Sequence, residues 1–199
     1  MRALVAAILL LAPQIGAIPV ALAEPEAERA TVQALDDSLI GIMKAGGTTK
    51  SRAQTIAPAI DRAFDLPLMT RLVVGPEWNT IAPPDQAALL AAFRRLTIAQ
   101  YADNFDHWAG ERFAIAPQVD VRGSDRLVRT TLSVPGKEPI AISYRLRESG
   151  GRWKIIDIFY HNAISQVALR RSDFAAVLAK GGARALAAHL DTLAAKGSF

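Results

Sequence analysis

Residues 119–160 limit the fold more than any other part of the chain. Four stretches alternate apolar and polar side chains with a period of two: Val119–Arg122, Arg126–Val134, Pro139–Arg147 and Arg152–Tyr160. Only "RGSDR", "PGKEP" and "ESGGR" separate them, each with glycine beside polar residues or proline. Connections this short leave no room for a helical crossover, so consecutive strands must pair antiparallel. "RFAIAP", residues 112–117, offers a further strand ahead of them. Val128, Thr130, Leu132 and Val134 point one way, and Leu127, Arg129, Thr131 and Ser133 the other. Ile140, Ile142, Tyr144 and Leu146 alternate in the same manner with Ala141, Ser143, Arg145 and Arg147. The sheet therefore has one apolar face and one that is basic or small. Trp153–Tyr160 is apolar on both faces, which predicts a central strand covered by helices.

An apolar sheet face needs a cover, and the flanking sequence reads as helix. "EAERATVQALDDSLIGIMKAGG" puts Val32, Leu35, Leu39, Ile42 and Met43 on one stripe and stops at Gly46-Gly47. A second helix is expected from Ser51 to Ala63, with Ile56 and Ile60 in register. "FDLPLMTRLVVGPEW" then predicts a short helix with marked ends. Asp65 is its N-cap, Pro67 lies in the first turn, Gly75 ends it, and Pro76 forbids continuation, leaving Trp78 on a loop. "PPDQAALLAAFRRLTIAQYADNFDHW" predicts a long helix whose apolar face runs from Leu89 to Trp108. After the strands, "SDFAAVLAK" with Ser172 as N-cap, Gly181-Gly182, and "ARALAAHLDTLAAK" return to helix. The order is helices, antiparallel meander, helices: one α+β domain over residues 24–199.

The N-terminus reads as an address. Arg2, the ten-residue apolar run "ALVAAILLLA", and small residues at Ala21 and Ala23 form a secretory leader, 1–23, cleaved after Ala23. The run is short of the ~20 residues of a spanning helix. The chain has no cysteine, which removes disulfides and a lipobox. An exported chain without disulfides fits a bacterial periplasm. The net charge of +4 is mild, and aromatic residues are not interleaved with basic runs, so nucleic acid is not an expected partner.

Little in the sequence points to catalysis. The three histidines, His107, His161 and His189, have no metal-ligand spacing. No nucleophile elbow occurs, and "KAGGTTK" lacks the phosphate-loop spacing. Asp157, in "WKIIDIFYH", is the one candidate for a general base, since a carboxylate between apolar neighbours can be desolvated. That reading makes a small enzyme with a cone-shaped, ketosteroid-isomerase-like pocket. The plainer reading makes Asp157 a hydrogen-bonded brace of the sheet. Arg129, Arg145, Arg147 and Lys154 read either as a solvated face or as a basic one that meets anionic groups.

Several anchors recur in order: Phe64-Asp65, Met69, Gly75 and Trp78; Phe93 and Tyr101; Trp153, Asp157 and Ile164-Ser165; Arg171, Phe174 and Gly182. Together they resemble the toluene-tolerance family, periplasmic phospholipid-binding proteins of the lipid-asymmetry (MlaC) type, over nearly the whole of residues 24–199. "ISQVALRRSDFAAVL" is most similar to the hopanoid-biosynthesis-associated branch. One departure stands out: the family often has glycine before the Ile-Ser pair, where this chain has Ala163. The resemblance implies helices on a curved antiparallel sheet of four to five strands, cone-shaped, with an apolar cavity between the layers. It implies a monomeric carrier, without cofactor, metal or catalytic residue, holding a phospholipid or a hopanoid. It would pass lipid between an inner-membrane ABC transporter complex and an outer-membrane lipoprotein complex. Expected wall residues are Leu68, Met69, Leu72, Val73, Leu90, Phe93 and Tyr101 on helices, and Val128, Leu132, Ile142, Tyr144 and Ile155 on the sheet. Ordinary core packing would explain each of them singly. A third reading, an adaptor binding only protein, requires a filled core with no cavity.

Overall fold

The computed structural model describes residues 24–196. The leader expected over residues 1–23 and its cleavage point lie outside the described residues. The alternating stretches form one antiparallel sheet in the order β1-β2-β3-β4-β5. Its strands are β1 (Arg112–Arg122), β2 (Asp125–Ser133), β3 (Ile140–Ser149), β4 (Arg152–Tyr160) and β5 (Ile164–Ser165). "RFAIAP" and Val119–Arg122 are one strand, with its register shifted between Ile115 and Val119. Pro117 sits in that gap and has no N–H for the ladder, so the strand bends there rather than pairing.

The helices are α1 (Glu24–Ala45), α2 (Thr49–Ala63), α3 (Leu66–Val74), α4 (Pro83–Asn104) and α5 (Gln166–Lys196). Among them, α1 touches β1, β2 and β4, and α5 lies along α4 and α3. Val128, Ile142, Leu146, Ile155 and Ile158 of the sheet meet Leu35, Leu39, Ile56, Ile60, Leu89 and Phe93 of the helices in one core. Each such side chain contributes about 1.5–3 kcal/mol when fully buried.

Four expectations change. β4 is not central: it lies between β3 and the two-residue β5. It is nonetheless covered on both faces, since Ile155, Ile156, Asp157 and Ile158 are buried in succession. α4 ends at Asn104, so Trp108 leaves its apolar stripe and stands 48% exposed, with the Lys44 ammonium 5.0 Å from its ring centre. The last helix starts at Gln166 rather than Ser172. It is broken at Gly182 (φ 69°), where the double glycine stands. Trp78, expected on a loop, lies in a short 3₁₀ helix, Gly75–Thr80, packed against the core.

The basic sheet face is balanced within the fold. Asp125, 1% exposed, accepts from Arg145 Nε at 2.6 Å and from Arg147 Nε at 2.6 Å and Nη2 at 3.0 Å. Burial opposes its charge, but the two guanidiniums outweigh that and hold its carboxyl below the usual range. Arg129 is paired with Asp120, and Lys154 donates to the carbonyls of Asp61 and Phe64. These four residues are bound to the protein's own acceptors.

Candidate functional site

The Phe64–Trp78 stretch hangs from the sheet. Phe64 and Asp65 are the extended link between α2 and α3, and Asp65 N–H donates to the Ile155 carbonyl at 2.9 Å. Asp65 also caps α3, accepting from Leu68 N–H at 2.9 Å. At the other end Gly75 has φ 82°, and a Cβ there would lie 2.9 Å from Arg171 Nε. Glycine is needed at this position both for the turn and for the close guanidinium. α3 is thus a nine-residue helix pinned at both ends, with its middle lying over the space beside α4 and α5.

That space is a cleft of about 280 Å³ bounded by α3, α4, the end of β4 and the start of α5. Phe64, Met69, Phe93, Phe105, Ile158 and Val167 make its apolar wall. The rings form a line: Phe64 to Tyr101 at 5.6 Å, Tyr101 to Phe105 at 5.9 Å, and Phe105 to Phe113 of β1 at 6.3 Å. Helical spacing places Thr97, Gln100, Tyr101 and Asn104 of α4 on the same side. Burial keeps the Tyr101 hydroxyl well above the usual phenol range, so it stays neutral.

Arg170 closes the cleft from α5. Its guanidinium lies 5.7 Å from the Phe93 ring centre and donates to the Gln100 side-chain oxygen. Burial lowers its pKa from the ordinary arginine value; a guanidinium still carries its charge at neutral pH.

Other spaces lie beside α3 and elsewhere on the described surface. A groove of about 550 Å³ lies on the far side of α3, with Leu72, Arg145, Asp157, Val167 and Arg171 on its walls. A surface groove of about 420 Å³ between α1 and α2 is lined mostly by alanines, with Arg62, Arg152 and Trp153 at its rim. None of the twelve expected wall residues lies in it.

Of those twelve, Met69, Phe93 and Tyr101 meet at the cleft, and Leu72, 37% exposed, faces the neighbouring groove. Val73, Val128, Ile142, Tyr144 and Ile155 are buried in the core, while Leu132 is half-buried against it. Leu68 and Leu90 are half-buried on their helices. Arg170 was missed, although the sequence carries a signal for it. Val167, Arg170, Phe174 and Val177 fall on one helical stripe, and an arginine inside an apolar stripe marks a cation facing the interior.

Asp157 is 6% exposed and accepts three hydrogen bonds. They come from Ile158 N–H at 2.8 Å, Val167 N–H at 3.0 Å and Ser165 Oγ at 2.6 Å. Ser165 Oγ in turn accepts from Ala168 N–H at 3.0 Å. This pair supplies the first-turn acceptors of α5 that Ser172 was expected to supply. At Ala163 no glycine is required. The tight turn is made by His161 (φ 50°) and Asn162 (φ 58°), and it closes with Ala163 N–H to the Tyr160 carbonyl at 3.1 Å.

Beneath the cleft, Asp36 of α1 is 1% exposed. Its carboxyl makes no hydrogen bond of ordinary geometry. Burial, helped by Asp37, raises its pKa from 3.8 to about 8, and the nearby Tyr144 hydroxyl offsets this only in part. The sign follows directly. Below 3.8 the group is protonated in both states; between 3.8 and about 8 only the unfolded chain gives up the proton. Stability from this group therefore falls as pH rises through that window. Urea midpoints at pH 5 and pH 8 should show this decline in the wild type, and Asp36→Asn should remove most of it. An unchanged slope in the variant would mean that Asp36 is ionised in the folded protein.

No curated protein matches the chain. Among solved structures, the phospholipid-binding protein from Ralstonia solanacearum in complex with a phospholipid aligns with a TM-score of 0.74 at 26% identity. The alignment covers 86% of this chain and 98% of that one. The family model described as MlaC protein matches residues 33–192. That span runs from α1 through the sheet and cleft into the last turns of α5, and on it the chain belongs to the MlaC protein family.

Proposed function

We infer that this protein is a periplasmic lipid-binding carrier rather than an enzyme, and that the acyl tails of its cargo lie in the cleft between α3, α4, β4 and α5. The observation that carries this reading is the cleft itself: a line of aromatic and aliphatic side chains that polar groups of α4, β4 and α5 border. A lipid in water exposes its tails at about 0.8 kcal/mol per CH₂. A carrier removes that cost with a dry wall and needs no nucleophile or metal. The phospholipid held by the Ralstonia relative supports the same cargo class here.

The cleft of about 280 Å³ falls just short of the ~300–1,000 Å³ that encloses small ligands. Tails therefore enter as part of the wall moves. α3 is the part suited to move, because it is short, fixed by hydrogen bonds at its ends and otherwise held by apolar packing, and bordered by space on both sides. Met69 faces one space and Leu72 the other, with Val167 bordering both. A shift of α3 joins them, with Leu68 and Val73 moving along with it, the core positions Val128, Ile142, Tyr144 and Ile155 as the floor, and the half-buried Leu90 and Leu132 beside it. The partners in this reading are an inner-membrane ABC transporter complex and an outer-membrane lipoprotein complex. A hopanoid is the alternative cargo, favoured by the "ISQVALRRSDFAAVL" segment.

The test is native mass spectrometry with lipid extraction of the protein purified from an exporting host. Bound lipid that exchanges into vesicles is the expected result. A folded preparation that carries no lipid and transfers none overturns the reading.

A further inference from the structure

Arg170 is placed where an arginine is costly. It is half-buried beside Phe93, Tyr101 and Val167, and its contacts are one side-chain amide, Gln100, and one ring face, Phe93. Among the described residues no carboxylate lies within salt-bridge distance of it; Asp173, one turn on and exposed, acts only at longer range. Arg52 also lacks a carboxylate among the described residues, but the Ala102 and Gly47 carbonyls and the Thr49 hydroxyl take its N–H groups. Arg94, Arg95, Arg129, Arg145, Arg147 and Arg184 each hold a carboxylate. A cation partly withdrawn from water and without a counter-ion carries a penalty that an arriving anion removes. A guanidinium also presents more N–H donors than one amide oxygen can take, in a planar fork that matches two oxygens of a phosphate.

The surroundings separate two chemistries within one cleft. Gln100, which takes the Arg170 hydrogen bond, lines the cleft together with Asn104, Tyr160 and Gln166, and Phe64, Met69 and Ile158 supply apolar wall. A ligand that fits has an anionic head with several acceptor oxygens joined to an apolar body. We propose that Arg170 recognises the phosphodiester of the cargo lipid, so that the cleft selects lipids bearing a phosphate over neutral lipids with the same tails. This rests on the carrier reading above and narrows it: phospholipid becomes the cargo, and a hopanoid without phosphate is disfavoured.

The experiment compares the full chain with its Arg170→Gln and Arg170→Lys variants. Two lipids are supplied in detergent-free exchange assays: dioleoyl phosphatidylglycerol, and dioleoylglycerol, which has the same tails and no phosphate. The wild type is expected to prefer the phosphodiester lipid by about tenfold or more, the size of one charge-assisted hydrogen-bonded pair. In Arg170→Gln the ratio of the two affinities should collapse toward one. Arg170→Lys, which keeps the charge but not the fork, should recover part of it. Arg170→Gln should also melt no lower than the wild type, because it relieves an unpaired charge partly withdrawn from water; a purely structural arginine would lower the melting temperature.

Equal wild-type affinity for both lipids, or a preference unchanged in Arg170→Gln, overturns the phosphate assignment and leaves the carrier standing. Binding of neither lipid by folded wild type overturns the carrier reading itself. Inorganic phosphate at millimolar concentration is the third arm. If it binds in an Arg170-dependent way and displaces no lipid, the site belongs to free phosphate and the headgroup assignment falls. Competition with the phosphodiester lipid but not with dioleoylglycerol supports it.

Discussion

Thr97→Trp is expected to abolish lipid capture while leaving the protein folded. Thr97 lies on α4 with its side chain at the cleft, 5% exposed, and its hydroxyl donates back to the Phe93 carbonyl at 2.9 Å. That bond lies within its own helix turn, so its loss leaves no distant donor unpaired. An indole at this position projects into the open cleft beside Met69 and Phe93 rather than into filled core. Overpacking costs about 1–3 kcal/mol in a close-packed interior, and less where a void receives the ring. The effect on cargo is larger. Excluding even two methylene groups from the wall costs about tenfold in affinity at ~0.8 kcal/mol each, and a blocked cleft excludes many more. Lipid recovered per protein and transfer between vesicles should both drop by at least about a hundredfold, with the circular dichroism spectrum retained. If Thr97→Trp carries lipid as well as the wild type, the tails lie elsewhere. Leu72→Asp then identifies the neighbouring groove, because its carboxylate would face that groove and not the cleft.

Asp157→Ala is expected to cost about 3–5 kcal/mol of stability, since each buried donor left without an acceptor costs about 1–3 kcal/mol. The three donors are Ile158 N–H, Val167 N–H and Ser165 Oγ. Two of them belong to the β5 and α5 junction, which frays when the acceptor is lost. The loss then reaches the cleft, because Val167 and Arg170 stand in the turns that Asp157 holds. Asp157→Asn separates this role from that of a general base. Asparagine keeps the oxygen that accepts both backbone N–H groups, so it should cost about 1 kcal/mol, the scale of one altered hydrogen bond. Urea unfolding of the two variants measures the difference. An Asp157→Asn variant as unstable as Asp157→Ala would show that the charge, and not the acceptor geometry, holds the junction.

Much of the fold was readable because its signals are local. A period of two with three glycine turns specified the meander. Asp65 and Gly75 specified the ends of α3, and both caps are in place. The misplacements arose where a signal that is sound in isolation was overridden. Ser172 is a good cap in isolation, yet α5 begins six residues earlier because Asp157, from another strand, supplies the acceptor. Trp108 fits the helical period of α4, but the helix has already ended at Asn104. The cleft was less legible. Met69, Phe93 and Tyr101 were among the expected walls and do meet, whereas positions such as Val128 and Leu132 have the same apolar character and lie elsewhere in the core or against it.

The sequence by itself determined the consecutive antiparallel pairing, the ends of α3 and the apolar stripes, because periodicity, turn residues and capping act over a few neighbouring residues. Only the tertiary structure decided which polar groups are paired. Arg145 and Arg147 read as a solvated or anion-meeting basic face, and the fold sets Asp125 between them; Arg170 lies against Phe93 without a carboxylate, which no local signal specifies. Asp36, beside the exposed Asp37 on the same helix, is buried by the packing of distant segments. Charge pairing and burial depend on segments far apart in the chain, and it is their packing, not their composition, that determines whether a charged group meets water, a partner or a cargo.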